Sequence, residues 1–269
     1  MRALPDGLRR PGSTTFGTWV KLPSLETLEL LAAAGFEFVV VDMEHSVLTL
    51  EFAYQAIVVA QGLGMAALVR VPDRSGSHIQ RVLDAGADGI LVPQVADVEE
   101  AHRTVSQRVF APAGRRGAGS TSRAGRWGRA SGAEYLGRGD EIVRGIQLED
   151  RSALEDVERI LDTPGLNAVF LGMGDLSMST GLPGSSPELQ GLADRLLAAA
   201  HARGLPCGTA VADAKAAVAA AARGFSFVMV SNDATIFARA AFELGGAVRD
   251  GLARSESSES TAERKSLAG

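Results

Sequence analysis

Eight short apolar runs, spread along most of the chain and separated by helix-like segments, restrict what this sequence can fold into. They are TFGTWVKL (15–22), FEFVVVDM (36–43), MAALVRVP (65–72), GILVPQV (89–95), EIVRGIQLE (141–149), NAVFLGMG (167–174), LPCGTAV (205–211) and FSFVMVS (225–231). Their apolar character is nearly continuous instead of alternating with polar residues, which marks strands covered on both faces, as in parallel sheets. The segments between them carry helix signals. Ser24 precedes LETLELLAAAG, with Glu26 in the first turn and Gly35 as the stop, and Thr49 opens LEFAYQAIVVAQGLG in the same way. AAGFEFVVVD, DAGADGILVP and AARGFSFVMV each pass from helix through glycine into strand. Eight near-equal units, with no point where the strand order reverses, favour a (β/α)8 TIM barrel over a doubly wound sheet. An apolar fraction of 46% in 269 residues is enough for one large core.

Composition excludes several classes. A net charge of −5 argues against a nucleic-acid partner, because counterion release needs clustered Lys and Arg. No stretch reaches the roughly 18 apolar residues that span a bilayer, so no membrane role is expected. Residues 1–13 are polar and Gly/Pro-rich, without the apolar segment of a signal peptide, and Cys207 is the sole cysteine. A cytoplasmic globular protein is expected. Residues 1–14 read as a lead and 15–250 as the barrel domain, with a long Gly/Arg-rich loop at 111–140; the polar tail 251–269 is expected to be disordered.

In a barrel of this type, reactive groups gather at the C-terminal ends of the strands. Asp42, Glu44 and His45 follow the second run, Arg70 ends the third, Gln147 and Glu149 end the fifth, and Asp175 follows the sixth. All face one mouth. Glu149 and Asp175, on neighbouring strands, either hold a hard divalent cation such as Mg²⁺ or Mn²⁺ or cap the helices that follow. His45 is either a loop histidine or a general base, since an ordinary imidazole pKa of about 6.5 suits proton transfer near neutrality. Arg70, at the end of an apolar strand, requires an anionic partner: Asp42, Glu44 or a substrate. Of the three lysines only Lys21 can reach the mouth, so a Schiff-base route has one weak candidate. His78, His102 and His201 read as surface residues, Cys207 as a small core residue, and GAGSTSRAG lacks any nucleotide-binding spacing.

Taken together, FGTWVKLPS, VVVDMEHS, LVRVP, PAGRRGAG, IQLED and LGMGDLS resemble, in order and spacing, the HpcH/HpaI aldolase family, over residues 15–245. The resemblance implies a metal-assisted (class II) pyruvate aldolase on a (β/α)8 barrel. Such an enzyme forms or cleaves 4-hydroxy-2-oxo acids through a pyruvate enolate and a small aldehyde. The family's pattern implies a divalent ion (Mg²⁺, Mn²⁺ or Co²⁺) on Glu149 and Asp175, proton transfer by His45, and enolate stabilisation by Arg70. It implies substrate binding by Gln147 and by the backbone at Gly174 and Asp175. Asp84, otherwise only a helix-end carboxylate, matches the acid that raises the basicity of the histidine. The family also implies a homo-oligomer, trimer or hexamer, with exchanged C-terminal helices; ATIFARAAFELGGAV has an apolar face that either serves that packing or covers its own barrel.

One departure is visible: Met173-Gly174 stands where many members have Pro-Ala, which bears on substrate fit. The same enolate also serves oxaloacetate decarboxylation or condensation with a non-aldehyde acceptor. A CoA-ester lyase is disfavoured because Arg115, Arg116, Arg123, Arg126 and Arg129 are the sole basic cluster. A non-catalytic scaffold predicts a broken carboxylate pair or a lost histidine, and the sequence has neither.

Overall fold

The computed structural model describes residues 4–266, with side chains through 254. Eight parallel strands close into a barrel in chain order. They are β1 (Thr15–Val20), β2 (Phe38–Asp42), β3 (Ala66–Arg70), β4 (Gly89–Val92), β5 (Val143–Leu148), β6 (Ala168–Leu171), β7 (Cys207–Val211) and β8 (Phe227–Asn232). Each lies within or within one residue of a run read from the sequence, with helices between them.

The near-continuous apolar runs have a structural cause. Side chains alternate across a strand, and here both sides are dry. Val39, Val41, Val69, Ile90, Ile146 and Val169 join a layer shared with the helices, while Phe38, Val40, Leu68, Leu91, Phe170 and Phe227 fill the barrel interior. Glycine makes room for the interior aromatics: a Cβ on Gly17 would lie 2.5 Å from the Phe38 ring, and Gly208 faces Phe227 in the same way. The inward parity also delivers the site. Phe38, Val40 and Asp42 share one side of β2, and Ala66, Leu68 and Arg70 share one side of β3. The register sets Asp42 directly beside Arg70.

Several local expectations need correction. Ser24 does not cap the first α-helix; Leu25 is the N-cap with helical backbone angles, and the Ser24 hydroxyl donates to Glu26 Oε2 at 2.7 Å instead. Thr49 does cap its helix, accepting from the Phe52 N–H. The 111–140 segment is only partly loop. It contains a 3-10 segment, Arg123–Gly128, and an α-helix, Gly132–Glu141, capped by Ser131. Three of its arginines are used inside the chain. Arg116 is buried against Phe110, Arg123 bonds Gln61 and the Ala85 carbonyl, and Arg126 pairs with Glu134 at 2.8 Å.

The chain separates into two compact units, one through Asn232 and one from Asp233 onward, against the expected boundary at 250. The second unit is one α-helix, Asp233–Ser266, so the tail expected to be disordered is helical through Ser266. Its Ala, Glu, Arg and Lys keep helix propensity, and extending an existing helix avoids the cost of nucleation. The last three residues lie outside the described ones. Among the described residues no helix is long and apolar enough to cross a membrane.

Candidate active site

Asp42, at the end of β2, is fully buried and organises one half of the mouth. Arg70 Nε donates to its Oδ1 at 2.9 Å and Nη2 to its Oδ2 at 2.7 Å, a bidentate pair. Lys21 Nζ lies 3.0 Å from Oδ2. The Glu44 and His45 N–H groups donate to Oδ1 at 3.1 and 3.2 Å, a local turn that swings the chain outward after the strand. Burial alone would raise the Asp42 pKa, but the hydrogen bonds and charge of Arg70, with Lys21 and the His45 N–H, hold it down to about 2.

Arg70 is 5% exposed, stacks over Trp19 at 4.2 Å, and places Nη1 3.1 Å from Glu44 Oε2. Of the alternatives open in the sequence, both carboxylates partner it. A guanidinium has five N–H donors: two bond Asp42, while Nη1 forms an ion pair with Glu44. His45 projects further out, its side chain 52% exposed, with Nε2 3.6 Å from Glu44 Oε2. Burial raises the Glu44 pKa against the opposing pull of Arg70 and His45.

Glu149 organises the other half. It follows β5, is 8% exposed, and accepts the Gln94 N–H on Oε1 at 2.7 Å and the Gln147 side-chain amide on Oε2. Burial, reinforced by the nearby Asp175 carboxylate, pushes its pKa up to about 7. Asp175 sits in the first turn of the helix Met173–Thr180. Neither acid is a cap: Asp150 caps the helix after β5, and the helix at Met173 has no side-chain cap. The helix-capping alternative is therefore excluded for both.

The donor set suits a hard divalent cation. Two oxygen-bearing side chains come together, and Gln147 Oε1 is buried without a hydrogen-bond partner among the described residues. No group of three or more His, Cys, Asp or Glu converges among the described residues. A cation here would take most of its ligands from water and substrate, the habit of Mg²⁺ and its relatives. Gly172 brings the backbone close beneath: a Cβ there would lie 2.7 Å from Glu149 Oε2 and 3.1 Å from the Gln147 amide. Gly174, at the Met-Gly departure, is exposed, and a Cβ there would meet nothing within 4 Å.

The chain thus gathers Asp42, Glu44, His45, Arg70, Gln147, Glu149 and Asp175 at the C-terminal end of the barrel. It does not bring Asp84 to them. Asp84 ends the helix Gly76–Asp84, which leads into the start of β4, so it lies at the opposite end of the barrel. There it accepts from Gln80 Nε2 at 2.8 Å, and its Oδ1 is buried without a partner among the described residues. Sequence reasoning missed Trp19 and Gln94. Gln94 carried a usable signal, being a polar residue that ends an apolar run, the same mark that singled out Arg70 and Gln147.

The family described as HpcH/HpaI aldolase/citrate lyase matches residues 15–240. The chain belongs to the HpcH/HpaI family. A relative from Klebsiella pneumoniae subsp. pneumoniae, named 2-keto-3-deoxy-L-rhamnonate aldolase, is 33% identical over 87% of this chain and 88% of its own length. An HpcH/HpaI aldolase/citrate lyase family structure from Burkholderia cenocepacia is 29% identical with a TM-score of 0.83, covering 91% of this chain and 98% of that one. An HpcH/HpaI aldolase structure from Desulfitobacterium hafniense is 28% identical, also with a TM-score of 0.83, over 88% and 93% of the two chains. Five of the six family motifs expected from the sequence lie at strand ends of the mouth, whereas PAGRRGAG packs beside Gln80 and Asp84 at the other end. The mouth also holds Lys21, the one amine the sequence offered for a Schiff base, in an ion pair with Asp42.

Proposed function

We propose that this HpcH/HpaI protein is a divalent-metal-dependent aldolase that cleaves or forms 4-hydroxy-2-oxo acids, of the 2-keto-3-deoxy sugar-acid class, through a pyruvate enolate and a small aldehyde. The observation that carries the reading is one mouth with two halves. The carboxylate pair Glu149 and Asp175 is linked to the Asp42–Arg70–Glu44–His45 cluster through Gln94, which bonds both Glu149 and Glu44. A cation (Mg²⁺, Mn²⁺ or Co²⁺) on Glu149 and Asp175 would supply Lewis acidity toward the 2-oxo group.

The chain's own groups account for the rest. Asp42 keeps Arg70 fixed through two of its five N–H donors, and the remaining three serve Glu44 and the oxygen that gains charge as the enolate forms. His45, half in solvent at the rim, takes the methyl proton from the 2-oxo acid and returns a proton in the reverse direction. The Gln147 amide and the free backbone N–H groups at Gly174 and Asp175, in the first helical turn, receive the substrate carboxylate. Gly174 leaves that approach open. Asp84, as the partner of His45, would have to come from a second copy, because its own barrel separates the two. A homo-oligomer, trimer or hexamer with exchanged C-terminal helices, belongs to this reading, supported by the exposed Phe237 and Phe242 on the last helix. So does a cytoplasmic setting, consistent with one buried free cysteine.

The test is pyruvate release from 2-keto-3-deoxy-L-rhamnonate and other 4-hydroxy-2-oxo acids by EDTA-stripped protein, before and after metal is restored. Release that depends on metal supports the reading. Oxaloacetate decarboxylation without any retro-aldol cleavage would replace it with the other use of the same enolate.

A further inference from the structure

Gln94 lies just past β4 and takes a left-handed backbone, φ 56°, although it is not a glycine. Such a conformation persists where the surroundings over-determine it, and it clusters at functional sites. Three contacts do so here. Its N–H donates to Glu149 Oε1 at 2.7 Å, its carbonyl accepts from Arg74 Nη1, and its side-chain Nε2 donates to Glu44 Oε1 at 2.9 Å. One residue therefore touches both halves of the mouth. With Oε1 held by Gln94, Glu44 presents Oε2 to Arg70 Nη1 at 3.1 Å and to His45 Nε2 at 3.6 Å.

We propose that Gln94 is a positioning residue of the reaction: its strained backbone aims an N–H at Glu149 while its amide turns Glu44 toward Arg70 and His45. The inference rests on the aldolase reading. Its two functions separate chemically. The contact with Glu149 comes from the backbone and survives any side-chain replacement except proline. The contact with Glu44 comes from the side chain and is lost with the amide. Removing the amide frees the Glu44 carboxylate to rotate, so Arg70 and His45 lose a fixed neighbour where enolate charge and the proton appear. The Glu149 side of the mouth, where cation and 2-oxo acid bind, is left in place.

Gln94→Met keeps the length of the side chain and removes the donor. Gln94→Gly removes the side chain, keeps the N–H and accepts the left-handed backbone without strain. Both variants are expected to lose about tenfold in kcat, the cost of one hydrogen bond to a charged group. KM for the 2-oxo acid is expected to stay within about threefold of wild type, because ground-state binding is untouched. Mn²⁺ affinity, read by electron paramagnetic resonance of free Mn²⁺ without substrate, is expected to stay within the same range. A merely structural role would instead move kcat, KM and Mn²⁺ affinity together, and that result in both variants overturns the proposal. Wild-type kcat in Gln94→Gly also overturns it. If the wild-type protein is active and only the variants disagree, the assignment of Gln94 alone falls; a wild type inactive with every metal withdraws the aldolase reading with it.

Discussion

At the scale of single residues, the mouth sets the buried Asp42, Arg70 and Glu149 beside the exposed His45 and Asp175, and the partners of each fix what it can do. Arg70 is held by two bonds to Asp42, so truncating it removes the proposed transition-state donor without touching Glu149 or Asp175. Arg70→Ala is expected to slow proton exchange on pyruvate by about 10²- to 10³-fold, in the range for loss of one oxyanion donor. Equilibrium Mn²⁺ binding by the same protein should remain; Glu149→Ala should lose both. Glu149 gives a prediction in pH. Its folded pKa, about 7 without a cation, lies above the ordinary value of 4.5 for a free glutamate, so the folded state binds the extra proton between these values. Its contribution to stability is therefore full below 4.5 and is lost as pH rises through about 7. Thermal melts of EDTA-treated protein should show this loss between about pH 5 and about pH 8, and saturating Mg²⁺ should offset it. A metal-free melting temperature that rises over that interval would contradict the assignment of Glu149 as a carboxyl awaiting a cation.

At the scale of elements, the strands were the most legible part of the sequence. Both faces of each strand are dry, so Phe38 through Val41 read as one apolar block, and the break at Asp42 marks where the strand leaves the core. The same logic exposed Arg70, Gln147 and Glu149. Ser24 was less legible because a serine near a helix start says nothing about whether the backbone will turn helical at the next residue, as it does at Leu25. The 111–140 segment misled because its glycines and arginines look like loop, whereas Ser131 caps a helix there. Asp84 could not be placed by residue type at all; only the direction of β3 and β4 puts it at the far end. The barrel interior supplies a test separate from the chemistry. Gly17→Ala drives a Cβ to within 2.5 Å of the Phe38 ring, so urea unfolding should show a loss of stability. The expected cost is about 1–3 kcal/mol, typical of an overpacked core.

At the scale of the whole molecule, the barrel puts His45, the proposed proton-transfer residue, at one end and its proposed acidic partner Asp84 at the other. If Asp84 acts on His45, it does so between copies. Mixing His45→Ala protein with Asp84→Ala protein under conditions that allow subunit exchange should then restore part of the activity that each lacks alone. In any closed arrangement some mouths receive a wild-type residue from each chain. No recovery, with exchange verified by mass spectrometry, would remove Asp84 from the mechanism. The central claim is simpler and lies within one mouth: these groups make an enolate of pyruvate when a divalent cation is present. It is tested most directly by following deuterium entry into the methyl group of pyruvate in D₂O, first with EDTA and then with Mg²⁺, Mn²⁺ or Co²⁺ restored. The account predicts exchange that EDTA abolishes and metal restores. Absence of exchange with every metal would contradict it.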